Sequence, residues 1–198
     1  MGLPRVFVIT DATACRTGGV VATIARMLHD VDVEGAVAVV GRRLTPAVLR
    51  ALLPICRRAG ALLLAHTDAR LVGPLGLDGV HLPSTSSPRL ARLQMPPGRL
   101  LGQSRHAGDD LDDADDPVDY ATVSPIFSPT SKPDDDRPTL GVEALARHRL
   151  PVVALGGIHA GNARACTAQG AVGIAVVSAV LSSVDPRRAL LSLLRAVA

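Results

Sequence analysis

PVVALGGIHAGNARACTAQGAVGIAVVS, residues Pro151 to Ser178, is the stretch that decides the fold. Its first apolar run, Val152-Val153-Ala154-Leu155, has the length of a strand buried on both faces. Gly156-Gly157 follows at once, and two glycines at a strand end let backbone N–H groups approach a ligand closely. A helix is expected from about Ala160 to Gln169, stopped by Gly170. A second buried run, Gly173 to Val177, ends at Ser178, a residue suited to cap whatever helix comes next. These are two consecutive β–α junctions. In a barrel of alternating strands and helices the last two junctions often bind a phosphate group. A tight turn without a ligand would use the same glycines.

Working outward, the same period recurs. Strands are predicted at Arg5–Thr10, Ala36–Val40, Ala61–Ala65, Gly79–Leu82, Leu100–Ser104 and Tyr120–Ser124. Between them lie helices at Gly18–His29, Pro46–Arg58 behind the cap Thr45, Asp68–Leu75, and a short one ending near Leu93. Asp109–Asp116 reads as a solvated helix or turn, Gly141–Arg147 as a helix, and Asp185–Ala198 as a final amphipathic helix. Eight strands alternating with helical segments predict an α/β fold, a (β/α)8 TIM barrel, as a single domain over residues 1–198. The Pro125–Pro138 loop, long and polar, is a candidate lid. An open doubly wound sheet would carry a dinucleotide fingerprint after its first strand, and TDATACRTGG does not match one.

Composition narrows the function. The net charge of +3 and 2% aromatics, with the arginines scattered, argue against a nucleic-acid partner and for an anionic small substrate. No apolar run is long enough for a membrane span. The N-terminus lacks a signal-peptide pattern, and Cys15, Cys56 and Cys166 have no metal or disulfide spacing. A cytoplasmic protein with reduced thiols is expected. The 21 basic residues include a single lysine, Lys132. Arginine is a forked donor, whereas lysine is a point charge that can sit on a phosphate, so Lys132 is singled out. In a barrel the site lies at the C-terminal strand ends, which supply Asp11, Arg42, His66, Ser84, Ser104, His106, Ser131, Lys132, Gly157 and Ser178.

Six segments stand in register with one family: DGVHL (Asp78–Leu82), GQSRH (Gly102–His106), DYATVSPIF (Asp119–Phe127), Ser131-Lys132, ALGGIHAGN (Ala154–Asn162) and GIAVVSAV (Gly173–Val180). On these the chain resembles the thiamine-phosphate synthase and TenI (thiazole tautomerase) superfamily over nearly its whole length. The resemblance implies a thiazole phosphate as the small-molecule partner, held on backbone N–H groups around Gly156-Gly157 and Val177-Ser178. Ser131 and Lys132 would reach its anionic end, with Arg42 and Ser104 as further contacts. A homodimer is compatible with it.

The departures from the synthase pattern are confined to one half of the site. The synthases' Gln-x-Arg-x-Lys segment corresponds to Val40–Leu44, where only Arg42 survives. Their Asn-Asp corresponds to His66-Thr67, and their Gln-Glu-Asp to Ser84-Thr85-Ser86. Both carboxylates expected to hold Mg²⁺ are therefore absent, and hydroxyls hold Mg²⁺ poorly. This pattern implies the TenI-like activity, tautomerisation of a thiazole carboxylate phosphate, with no cofactor. The alternatives are the Mg²⁺-dependent synthase, a non-catalytic thiazole-phosphate regulator, or another phosphate-binding barrel such as a sugar-phosphate isomerase. The family's catalytic histidine falls at Pro125. His66, at a strand end, is the expected replacement acid/base, with His106 second. His81 is expected to orient its neighbours from within a strand.

Overall fold

Strands of four to six residues, all parallel, close on one another in sequence order. The structure, a computed structural model, describes residues 2–15, 18–106, 109, 117–128, 138–146 and 148–198. The strands are β1 (Val6–Ile9), β2 (Val37–Gly41), β3 (Leu62–His66), β4 (Gly79–Leu82), β5 (Leu100–Arg105), β6 (Tyr120–Val123), β7 (Val152–Leu155) and β8 (Gly173–Val176). β1 pairs with both β2 and β8, so the sheet has no edge. The helices are α1 (Gly19–Met27), α2 (Pro46–Arg58), α3 (Val72–Leu75), α4 (Pro88–Gln94), α5 (Ala163–Ala168), α6 (Ser178–Leu181) and α7 (Pro186–Ala196). The expected (β/α)8 barrel is the fold observed.

Alternation along each strand divides the apolar residues between two cores. Val6 and Val8 of β1 face outward into the layer shared with Ile24, Leu49, Leu52 and Leu190 of the helices. Phe7 and Ile9 face inward and meet Ala38, Val40, Leu62, Leu64, Tyr120, Val153 and Ala175. This interior is a packed side-chain core. Its largest member, Tyr120, stacks at a tilt on Phe7 with ring centroids 4.8 Å apart. Room for it comes from Gly102 on the neighbouring strand: a Cβ there would lie 2.1 Å from Cζ of Tyr120.

Helix starts follow the local chemistry. Thr45, Ser87 and Asp185 cap α2, α4 and α7 with their side chains, each followed by proline in the first turn. Three expectations need correction. The helix after Gly156-Gly157 begins at Ala163, because residues Ile158–Asn162 form a turn held by the Asn162 side chain. Ser178 does not cap; it is the first residue of α6, and the cap position is Val177. Val142–Leu145 is a single 3-10 turn in place of a helix over Gly141–Arg147. Residues 110–116 and 129–137, which hold most of the acidic segment and most of the expected lid, lie outside the described residues, as does Arg147. Among the described residues no helix is long and apolar enough to cross a membrane.

The Gly102–Tyr120 contact gives a direct test. Gly102→Ala forces a methyl into the Tyr120 ring, with only backbone and core movement to relieve it. Overpacking of this kind costs about 1–3 kcal/mol. Urea denaturation should show a loss of that size, and a wild-type midpoint would contradict the packing described.

Candidate active site

The C-terminal rim of the barrel has two sides of different character. On the β7–β8 side the backbone dominates. Gly156 and Gly157 have φ of 102° and 62°, and each leaves no room for a Cβ. At Gly157 that atom would lie 2.6 Å from the Ser128 carbonyl oxygen and 2.8 Å from Phe127 Cβ. The turn is thus clamped against the chain after β6, where the Ile126 and Phe127 N–H groups donate to the carbonyls of Leu155 (2.9 Å) and Gly156 (3.1 Å). Asn162 Nδ2 donates to the Gly157 carbonyl at 3.0 Å, and the His159 N–H donates to Asn162 Oδ1 at 2.8 Å. The Gly157 carbonyl is thereby occupied and fixed. Ser178 opens α6; Val180 N–H donates to the Val177 carbonyl at 3.4 Å, while the Ser178 and Ala179 N–H groups lie ahead of any intrahelical acceptor. Backbone donors are therefore concentrated at the ends of β7 and β8. Asn162 stands in the GGIHAGN segment, and its spacing from the glycines is the signal that could have found it.

On the β1–β4 side, charged and polar side chains dominate. Arg42, just past β2, pairs with Asp11, just past β1, and its carbonyl accepts from the Thr10 hydroxyl at 3.1 Å. Nε of Arg42 is buried with no hydrogen-bond partner. The Asp11 carboxyl is held below its ordinary range by the Thr13 hydroxyl at 2.6 Å, with the Thr13 N–H and Arg42 adding to the effect. Arg43 follows, exposed, with φ of 56°. Partly buried His66 ends β3. Its protonation is disfavoured by burial first and by the Arg42 and Arg43 charges second. Thr67 Oγ1 lies 2.8 Å from His66 Nδ1, fixing the ring. Thr67 itself has φ of 74°, an outlying conformation for a β-branched residue, held by its N–H bond to the His81 carbonyl at 3.0 Å.

Beneath His66 lies a buried polar cluster. His81, on β4, is 6.2 Å from His66 between ring centroids. Its Nδ1 meets the Tyr120 hydroxyl at 3.1 Å, and its Nε2 meets Ser104 Oγ at 3.1 Å and Thr122 Oγ1 at 3.3 Å. Burial pushes the His81 pKa down to about 3, with His66 contributing, and pushes the Tyr120 phenol up. The ring is neutral at pH 7, and His81 orients its neighbours as expected. Ser104, expected to touch substrate, has its hydroxyl on His81. His106 does not join His66: it lies past β5, two strands away, exposed, with Nδ1 3.3 Å from the Ser124 carbonyl oxygen. Ser131 and Lys132 lie outside the described residues. Gln103 went unnoticed in the sequence. Its Nε2 lies 3.1, 3.3 and 2.8 Å from the carbonyl oxygens of Pro83, Ser84 and Ser86 and so fixes the hydroxyl-rich loop after β4.

Fold and rim define a barrel enzyme class whose site sits at the C-terminal strand ends. The model of the family described as thiamine monophosphate synthase matches residues 6–180. A thiamine-phosphate synthase of Chlorobium luteolum is 39% identical over 150 residues, 73% of this chain and 70% of its own. One from Chloroflexus aurantiacus is 33% identical over 192 residues, 91% of this chain and 87% of its own. A solved thiamine phosphate pyrophosphorylase from Pyrococcus furiosus superposes with a TM-score of 0.75 at 24% identity, covering 98% and 95% of the two chains. The chain belongs to the thiamine-phosphate synthase/TenI family.

Among the described residues this rim does not fit Mg²⁺, which the family implies. Among the described residues no group of three His, Cys, Asp or Glu side chains could hold a metal ion. The Asp11 carboxylate is already committed to Thr13 and Arg42, and that of Asp68 to Nε and Nη2 of Arg70, both at 2.9 Å. At the ends of β3 and β4 the donors are the hydroxyls of Thr67, Ser84, Thr85 and Ser86, a weak set for a hard cation.

The depressed His81 pKa has a consequence for stability. Between the ordinary value of 6.5 and about 3 the unfolded chain binds a proton that the folded chain does not. The stabilisation is therefore complete above pH 6.5 and is lost as the pH falls. At about 1.4 kcal/mol per pH unit, the loss from pH 6.5 to 5 is roughly 2 kcal/mol. His81→Gln should flatten this part of the stability–pH curve, with His66 leaving a smaller slope of the same sign. Equal slopes in the two proteins would contradict a neutral buried ring.

Proposed function

We propose that this chain is a thiamine-biosynthesis enzyme that seats a thiazole phosphate at the ends of β7 and β8 and couples it to a pyrimidine carried as its diphosphate. The observation that carries the reading is the length-wide similarity to proteins named thiamine-phosphate synthase, 33% identical over 91% of this chain in one case. In that reaction the thiazole nitrogen forms a bond to the pyrimidine's methylene carbon as the carbon–oxygen bond to diphosphate breaks. The electron pair leaves with the diphosphate, and no ring proton need be removed. The demands on the protein are alignment of two phosphorylated substrates and stabilisation of the departing charge. Backbone donors near Gly156-Gly157 and Val177-Ser178 suit the thiazole phosphate. Ser131 and Lys132 belong to the same half by sequence, and Arg42 suits the leaving group.

A second reading, tautomerisation of a thiazole carboxylate phosphate, is favoured by one specific observation. His66 is a neutral imidazole oriented by a hydroxyl at a strand end, as a general base must be. The relatives' names favour the transferase over this isomerase reading.

Incubating the purified protein with thiazole phosphate and pyrimidine diphosphate should yield thiamine phosphate, detected by mass spectrometry. Absence of product would overturn the coupling reading. His66→Gln separates the two chemistries. Coupling turnover should change less than about tenfold, because no base is required. A tautomerase would lose about two to four orders of magnitude. Lys132→Ala should raise the KM for thiazole phosphate in line with a loss of about 1.5–3 kcal/mol, with kcat little changed.

A further inference from the structure

We propose that the β2–β4 side of the barrel mouth takes a phosphate or diphosphate group directly on Arg42 and Arg43, with no divalent cation. The inference rests on the coupling reading only for which anion is expected there; the charge argument is independent of it. Three observations converge. First, the site already carries positive charge where a metal would bring it. Arg42 and Arg43 flank the end of β2, close enough to His66 on β3 to disfavour its protonation, and His81 below is neutral. A divalent cation entering here would be repelled, while an anion would be attracted. Second, Arg42 is held in place yet incompletely satisfied. Asp11 takes one guanidinium nitrogen, the Thr10 hydroxyl fixes the Arg42 backbone, and Nε stays buried with no acceptor. Nε itself is shut off from solvent, but the Arg42 side chain remains 27% exposed, so the guanidinium can still be reached by an anion oxygen. Third, the loop after β4 and the residue after β3 present hydroxyls where a metal would need carboxylates. The loop carrying Ser84, Thr85 and Ser86 is pinned by Gln103, and Thr67 is locked against His66. Hydroxyls can donate to phosphate oxygens, whereas as cation ligands they are weak.

Isothermal titration calorimetry with inorganic pyrophosphate tests this on the intact protein without any chemistry. In EDTA the expected result is measurable binding, with a Kd that changes less than threefold when EDTA is replaced by excess Mg²⁺. Arg42→Gln and Arg43→Gln should each weaken binding at least tenfold. Arg43 is exposed, so its variant retains the fold and decides the matter if the loss of the Asp11 pair unfolds the other. Binding that appears only with Mg²⁺ would overturn the inference, as would no binding in either condition, or full affinity in both variants. Thiazole phosphate titrated in parallel keeps the two readings apart. If it binds and pyrophosphate does not, this inference fails and the coupling reading loses only its leaving-group site. If pyrophosphate binds and thiazole phosphate does not, the reverse holds.

Discussion

The hydrogen bond between the Tyr120 hydroxyl and His81 Nδ1 marks the level at which the barrel changes from apolar filling to polar mouth. Below it, Tyr120 reaches from β6 to Phe7 on β1 and fills the interior among small residues such as Ala38 and Ala175. Above it, Ser104 and Thr122 complete the partners of a neutral imidazole, and His66 rests over that ring. Strands this short leave space for little more than one packed layer and one polar layer. A buried polar cluster fully satisfied in this way is rigid, and rigidity at the floor is what holds the rim residues in fixed relation.

The rim then divides by chemistry. On the β7–β8 side the rim is built from backbone groups around two glycines that cannot carry a side chain, with Asn162 as their brace. On the β1–β4 side it carries arginines and hydroxyls, and among the described residues no group of His, Cys, Asp and Glu there could hold a metal ion. Arg42 on that side is ion-paired to Asp11, with its Nε buried and without a hydrogen-bond partner.

The barrel was legible in the sequence because its strands are continuous apolar runs and its glycines mark their ends. β4 and β7 fall on the residues expected, and α2 with its Thr45 cap and Pro46 start does so too. Errors arose where tertiary contacts override local preference. Ser178 has the side chain of a cap, but the backbone of Val177 occupies that position. Ser104 lies at a strand end, and its bond to a histidine of the adjacent strand is a tertiary contact that no local pattern shows. His66 and His106 both follow strands in the sequence, and the strand order places them two strands apart. Gln103 could not be read, because its partners are carbonyls of a loop whose course no local pattern predicts.

A crystal structure of the protein grown with thiazole phosphate and inorganic pyrophosphate, in the absence of divalent metal, tests most directly whether two anions are held by different means on opposite sides of one rim. The prediction is the thiazole phosphate group within hydrogen-bond distance of the Gly157 and Ser178 N–H groups, and pyrophosphate on the guanidinium of Arg42. A thiazole phosphate group seated on Arg42, with the Gly156-Gly157 turn empty, would contradict it.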